Sequence, residues 1–497
     1  MNSFMENLTD STNFTRTTNG ALAHKSTRSM VYDMFALGGA YRQRSWEDCI
    51  NLFKNAFEEN ESLALKCLFY LRDCRGGQGE RRFFRECFRW LCNNHPSAAR
   101  RNLENVSEYG RWDDLIYTTN GTLLHDEALD IVKHQFALDL GCKTPSLLGK
   151  WMPSENASSV RTKNIANDVR IHLGLTHKEY RKALSSLRSR INIVEKLMSS
   201  NRWDEIEFDK IPSKAGLVYK NAFARRDIIA KKYETFAKSK ETKVNAKALF
   251  PYEVVAKATS SYRLSETDRE MIKKYWENLP DYLNGKPCKL LCMIDTSGSM
   301  TGCRADAPLN VAISLGMYCA ERIGGPFKNH YISFASRPKL IKIEGVDFVD
   351  KVQRIYRENL CDNTNIEAAF DLLLDVAKRS NPEDIPETIV IVSDMQIDYM
   401  TGSCYWSRSV PMTKWTEKTA ATEMERIRAR WEAAGLKCPN LVYWNVNASK
   451  NTILDNGPNV TFVSGCSPVI FEQVLTGVTG YDLMLRKLMS ERYSAVA

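Results

Sequence analysis

Four short apolar runs in the C-terminal part of the chain constrain its fold more than any other feature. Residues 289–294 (KLLCMI), 331–334, 388–392 (TIVIV) and 441–446 (LVYWNV) are of strand length and apolar at successive positions. That is the pattern of strands buried on both faces. Amphipathic stretches at 307–322, 366–378 and 416–434 lie between them, and 483–491 reads as a closing helix. Strand and helix in alternation predict an open, mostly parallel, doubly wound sheet with helices on both sides.

Upstream of Pro287 the periodicity is different. Trp46, Ile50, Phe53 and Phe57 recur at helical spacing, as do Leu63, Cys67 and Tyr70. Over 81–92, Phe84, Cys87, Phe88 and Leu91 make an apolar face, while Arg81, Arg85 and Arg89 stack on another. The turn Gly76-Gly77-Gln78-Gly79 delivers the chain into this helix. A weak repeat, Ser45-Trp46-Glu47-Asp48, Arg111-Trp112-Asp113-Asp114 and Arg202-Trp203-Asp204-Glu205, puts a tryptophan before two acids at each expected helix start. Stacked helix pairs in an irregular, HEAT-like array follow from that pattern. The expected organisation is a flexible polar arm over 1–30, a helical-repeat domain over 31–285, and an α/β domain over 286–497.

Composition narrows the function classes. No apolar stretch approaches the roughly 18 residues of a membrane helix, and the first thirty residues lack an apolar leader segment, so a cytoplasmic protein is expected. The 14 cysteines are scattered without a Cys-x-x-Cys pair and read as reduced thiols. The net charge is +9, and its distribution tells more than its sum. Residues 161–250 hold 21 basic and 10 acidic side chains, so the excess sits in one segment and points to a polyanion-facing surface.

The first apolar run is followed by Asp295-Thr296-Ser297-Gly298-Ser299, an Asp-x-Ser-x-Ser at the carboxyl end of a strand, where ligands collect in open α/β sheets. Asp362-Asn363-Thr364-Asn365 precedes a helix, and Ser393-Asp394 ends the run TIVIV. Two carboxylates and three hydroxyls converging there are hard oxygen donors, the set Mg²⁺ or Mn²⁺ prefers. This arrangement resembles the von Willebrand factor A domain with a metal-ion-dependent adhesion site. By that resemblance Ser297, Ser299 and Thr364 hold the metal directly, and Asp295 and Asp394 act through water or hydroxyl groups. An outside carboxylate or phosphate then completes the coordination. No enzyme is expected: the chain has no phosphate-binding P-loop motif, and His330 enters the opposite end of its strand from Ser299. The stretch 395–414, carrying Tyr399, Tyr405, Trp406 and Arg408, is expected to overhang the site as a lid or a partner-recognition loop.

A helical domain followed by such an A domain also resembles the Ro autoantigen family, the TROVE-module RNA-binding proteins. The N-terminal half is similar to a family of plant, viral and phage proteins named only as a domain of unknown function. Arg72-Asp-Cys-Arg-Gly-Gly-Gln-Gly-Glu-Arg81, Tyr109-Gly-Arg-Trp-Asp-Asp-Leu115 and Ala248-Leu-Phe-Pro-Tyr-Glu-Val254 carry that likeness. The Ro resemblance implies a helical ring closed by the A domain and binding small structured RNA or single-stranded ends. The RNA-facing candidates are Arg75, Arg81, Arg85, Arg89, Arg181, Lys182, Arg225, Arg226, Lys231 and Lys232, interleaved with Tyr180, Tyr219, Phe223 and Tyr233. The expectation is therefore a non-catalytic RNA-binding protein with a cation site and no small-molecule substrate. The alternatives are a metal-dependent adaptor docking a partner's acidic residue, or a viral or phage structural component.

Overall fold

The computed structural model describes residues 13–191, 193–260, 263–334, 338–358, 366–397, 422–455, 457, 459–474 and 478–497. The chain forms two compact units. An α/β unit takes residues 1–44, 250–262 and 281–487, and a helical unit takes 45–249, 263–280 and 488–497.

In the α/β unit, six strands form one sheet: β3 (Leu290–Asp295), β4 (His330–Phe334), β5 (Leu340–Lys342), β6 (Thr388–Ser393), β7 (Asn440–Asn445) and β8 (Val460–Ser464). Their order is β5-β4-β3-β6-β7-β8, every pairing parallel except the short edge strand β5. All six residues of β3 are buried, which is why its sequence is apolar without alternation. The helix Pro308–Arg322 covers the sheet and is buried from Pro308 through Ala320 rather than on one stripe. The helix Pro251–Thr259 packs on it, burying Val254, Val255 and Ala258. That packing draws 250–262 out of the expected helical domain and into this unit.

The expected arm folds over its described part. Strands β1 (Phe14–Arg16) and β2 (Leu22–His24) pair as a hairpin, and His24 exchanges both backbone hydrogen bonds with Ile453, at 2.7 and 2.9 Å. Ala21 and Ala23 are buried, a signal too small to show in the Ser/Thr/Asn-rich sequence around them. Ser29 then caps the helix Met30–Leu37, accepting the Tyr32 amide. This helix lies on β8, where the Phe462 amide donates to the Tyr32 hydroxyl at 2.8 Å. A Cβ on Gly39 would come within 2.8 Å of the Ser464 backbone, so that approach requires glycine.

The helical unit is built from consecutive helices that pack on their neighbours in sequence. Ser45 caps Trp46–Glu59 and Asn60 caps Glu61–Arg72. Phe69, Phe84 and Phe88 interlock with ring centroids 5.3 to 6.1 Å apart, all fully buried. Each such ring contributes about 1.5–3 kcal/mol relative to exposure. Of the three tryptophan-acid repeats, the first two start helices, Trp46–Glu59 and Trp112–Thr119. The third, Trp203–Glu205, is a single 3-10 turn. Residues 488–497 return to this unit. Arg492 donates to Asp73 at 2.9 and 3.1 Å, and the Lys66 ammonium donates to the Tyr493 carbonyl at 2.7 Å.

Candidate functional site

Strand register places the carboxylates. Because β3 and β6 are parallel neighbours with Ile294 opposite Val392, Asp295 and Ser393 emerge side by side at their carboxyl ends. The chain leaves β3 for β4 on one side, while β6 lies on the other, so the crevice between them is the point where strand order reverses. Ser393 donates its hydroxyl to Asp295 Oδ2 at 2.5 Å, and the Ser297 amide donates to Asp295 Oδ1 at 2.9 Å. The Ser297 and Ser299 hydroxyls are 3.0 Å apart. Asp295, Ser297 and Asp394 are buried, whereas Ser299 is exposed and opens the cluster to solvent.

Asp394 is the electrostatically unusual member. Burial raises its carboxyl to about 7, the charge of Asp295 adds to the rise, and the Ser299 hydroxyl works in the opposite direction. Two acids buried beside each other with hydroxyl and amide neighbours fit a small hard cation, which would replace their mutual repulsion with attraction. Among the described residues no cluster of three or more His, Cys, Asp or Glu side chains is present. A cation here would therefore rest on two carboxylates and hydroxyl oxygens.

The loop after Asp394 is held from a distance. Met395 has φ +60°, a left-handed conformation unusual for a side chain of its size. Its amide donates to the Ser393 hydroxyl at 2.9 Å, and Gln396 returns two hydrogen bonds to Asp394, at 3.1 and 3.2 Å. The β1–β2 turn supplies the rest: the Thr18 amide and the Asn19 side chain donate to Gln396 at 2.7 and 2.6 Å, and Thr17 donates to the Ile397 carbonyl at 2.7 Å. Sequence reasoning missed Gln396 and Thr17 to Asn19 because nearly 380 residues separate the partners and neither segment carries a motif.

Of the expected ligands, the structure brings Asp295, Ser297, Ser299 and Asp394 together. Thr364 lies outside the described residues, as do Tyr399, Tyr405, Trp406 and Arg408 of the expected partner loop. His330 begins β4 at the amino edge of the sheet, away from Ser299.

The arginine stripe is a different matter. Arg85 pairs with Asp113 at 2.8 Å and Asp114 at 2.6 Å, and Arg89 donates to the carbonyls of Tyr117 and Asn120. Both point onto the helix Trp112–Thr119 and are engaged within the protein, whereas Arg81 is exposed. Arg75 donates to the Glu108 carbonyl at 2.7 Å. Lys232 donates to the carbonyls of Asp204 and Ile206, and Arg226 stacks 4.9 Å from the Trp203 ring centroid. Arg181, Lys182, Arg225 and Lys231 are exposed, and among the described residues no hydrogen bond or ion pair engages them. Tyr180, Phe223 and Tyr233 are buried in the core, and the Tyr219 hydroxyl donates to Glu195, so these rings hold helices together.

Two of the sequence motifs meet in the interior. Arg72 donates to Asp114 Oδ2 at 2.8 Å through Nε, and Asp114 sits between the Arg72 and Arg85 guanidiniums. Burial alone would raise its carboxyl, but the two guanidiniums outweigh burial and hold it below the usual carboxylate range. A Cβ on Gly110 would come within 2.7 Å of the same carboxylate, which accounts for the glycine in Tyr109-Gly-Arg-Trp.

Comparison with known proteins follows the same division. Residues 17–135 and 147–286 match a family described as Domain of unknown function (DUF2828). Residues 289–484 match a second, described as Domain of unknown function (DUF7788). The chain is 27% identical over 509 residues to a protein of Acanthamoeba polyphaga mimivirus described as Uncharacterized protein L728, covering 93% of this chain and 85% of that one. These matches correct the resemblance to the Ro autoantigen and von Willebrand factor A families, to which nothing in the comparisons assigns the chain. A five-residue loop after a buried strand, and a helical region before an α/β one, are solutions set by packing and ligand chemistry, and unrelated chains reach them.

Proposed function

The chain belongs to the DUF2828 family, a kinship that supplies no activity, and from the site itself we propose that its α/β unit is a non-catalytic, divalent-cation-dependent binding module. The observation that carries this reading is the pair of buried acids, Asp295 and Asp394, flanked by Ser297 and Ser299 where strand order reverses. Mg²⁺ or Mn²⁺ suits this all-oxygen donor set, with Thr364 as the further hydroxyl that the sequence offers. Two carboxylates leave the cation able to draw a carboxylate or phosphate from a partner. Among the described residues no histidine base stands beside the hydroxyl groups, which favours holding over cleavage.

Calorimetric titration of Mn²⁺ into the full chain tests this reading. One site is expected in the wild type, and no binding in Asp295→Asn/Asp394→Asn. Equal binding by the double variant, or none by the wild type at millimolar Mn²⁺, would sink it.

A second reading, RNA binding by the helical unit, is favoured by one observation. Arg181, Lys182, Arg225 and Lys231 are exposed and, among the described residues, unengaged, within the segment that carries the basic surplus. Free cations gathered in one segment of the chain suit a phosphate backbone.

A further inference from the structure

A cavity of about 600 Å³ opens within the helical unit between the helices Leu148–Trp151, His177–Arg190 and Val194–Ser199. Lys150, Arg181, Arg188 and Lys196 line it, with Glu155 and Trp151. We propose that this cavity binds a nucleotide, with the phosphate on the basic wall and the base against Trp151. The inference deepens the RNA reading of the same unit where the nucleotide belongs to a strand, and stands without that reading where the nucleotide is free.

Three observations point to this ligand. The first is Arg188. Its guanidinium donates to the Gly149 and Met152 carbonyls and the Ser154 hydroxyl, at 2.9 to 3.0 Å, and so meets only neutral acceptors among the described residues. Burial lowers its pKa and no carboxylate offsets that cost, which leaves positive charge in the wall available to an anion. Lys150, Arg181 and Lys196 add further cations to the lining, which also holds Glu195, the acceptor of the Tyr219 hydroxyl.

The second is Glu155. Its Oε1 faces His177 Nδ1 at 2.5 Å and Arg170 at 3.3 Å, so Arg170 answers the charge of this acid and leaves the cations of the wall to a ligand. The third is Trp151, a flat indole in the wall whose ring carries the Arg111 guanidinium 3.9 Å and the Lys150 ammonium 5.3 Å from its centroid. An anion site beside a flat ring in a space of this volume describes a nucleotide; a bare phosphate or an aliphatic acid uses only the first.

The test uses the full chain, cytidine 5′-monophosphate, inorganic phosphate and a fluorescent 12-nucleotide cytidine oligomer. Arg181→Ala/Lys196→Ala alters solvent-facing positions of the wall, and an unchanged thermal midpoint certifies its fold. The nucleotide is expected to bind the wild type and to bind this variant at least tenfold more weakly, with phosphate competing poorly. Displacement of the nucleotide by the oligomer would identify a strand as the source, and failure to displace it a free nucleotide. Phosphate competing as well as the nucleotide would overturn the proposal in favour of a plain anion site. No nucleotide binding, together with oligomer affinity unchanged in the variant, would also overturn it. In that last case oligomer binding to the wild type keeps the RNA reading alive, and its absence ends both.

Discussion

Two buried aspartates, one in each unit, meet opposite electrostatic surroundings. Asp114 lies between Arg72 and Arg85, and its carboxyl is held down. Asp394 lies beside Asp295 with hydroxyl and amide neighbours, and its carboxyl is pushed up to about 7. Asp114 is neutralised by its own neighbours, whereas Asp295 and Asp394 stand together where a cation would relieve them. Burial of an acid alone does not mark a site; burial without a countercharge does.

The largest effect is expected from breaking the closed network. Asp114→Ala would leave the Arg72 guanidinium buried without its partner and destabilise the helical unit by about 3–5 kcal/mol. Urea denaturation reads this directly, and Asp114→Asn, which keeps the volume, should lose less. A loss under about 1 kcal/mol in both variants would mean the network is ornamental.

A smaller effect, of opposite character, is expected at the open pair. The Asp394 carboxyl has an ordinary value of 3.8 and is raised to about 7 in the folded protein. Without cation, its contribution to stability is fully present below pH 3.8 and is lost as pH rises toward 7, on the order of a few kcal/mol. Denaturation midpoints with chelator should therefore fall between pH 5 and pH 8, Mg²⁺ should restore the value at pH 8, and Asp394→Asn should flatten the profile. A flat wild-type profile would remove the contrast between the two aspartates.

The smallest effect concerns the free cations. Lys182→Ala should change stability by less than about 0.5 kcal/mol and reduce the logarithmic salt slope of RNA binding by about 1. Arg85→Ala should do the reverse, costing stability and leaving the slope unchanged.

What the sequence disclosed follows the range of the interactions. The four apolar runs announced β3, β4, β6 and β7, because strands buried on both faces write their environment into every residue. The edge strand β5 and the five-residue β8 went unannounced, being short and bounded by polar turns. Asp295 and Asp394 were legible from their places at strand ends. The partners of Arg85 and Arg89 were not legible, since helical periodicity shows that residues share a face and says nothing of what that face meets. Thr17, Thr18 and Asn19 read as unstructured polar chain because their acceptors, Gln396 and Ile397, lie at the far end of the sequence.

The way the chain is shared between its units sets a timetable for its birth. The chain passes from one unit to the other five times, the last passage carrying residues 488–497 back to a unit that begins at residue 45. A ribosome completes the first helices of that unit early, yet Asp73 receives Arg492 and Tyr493 only after all of the α/β unit has been translated. During that interval Asp73 lacks both partners, so the helical unit reaches its final form last although most of it is made first.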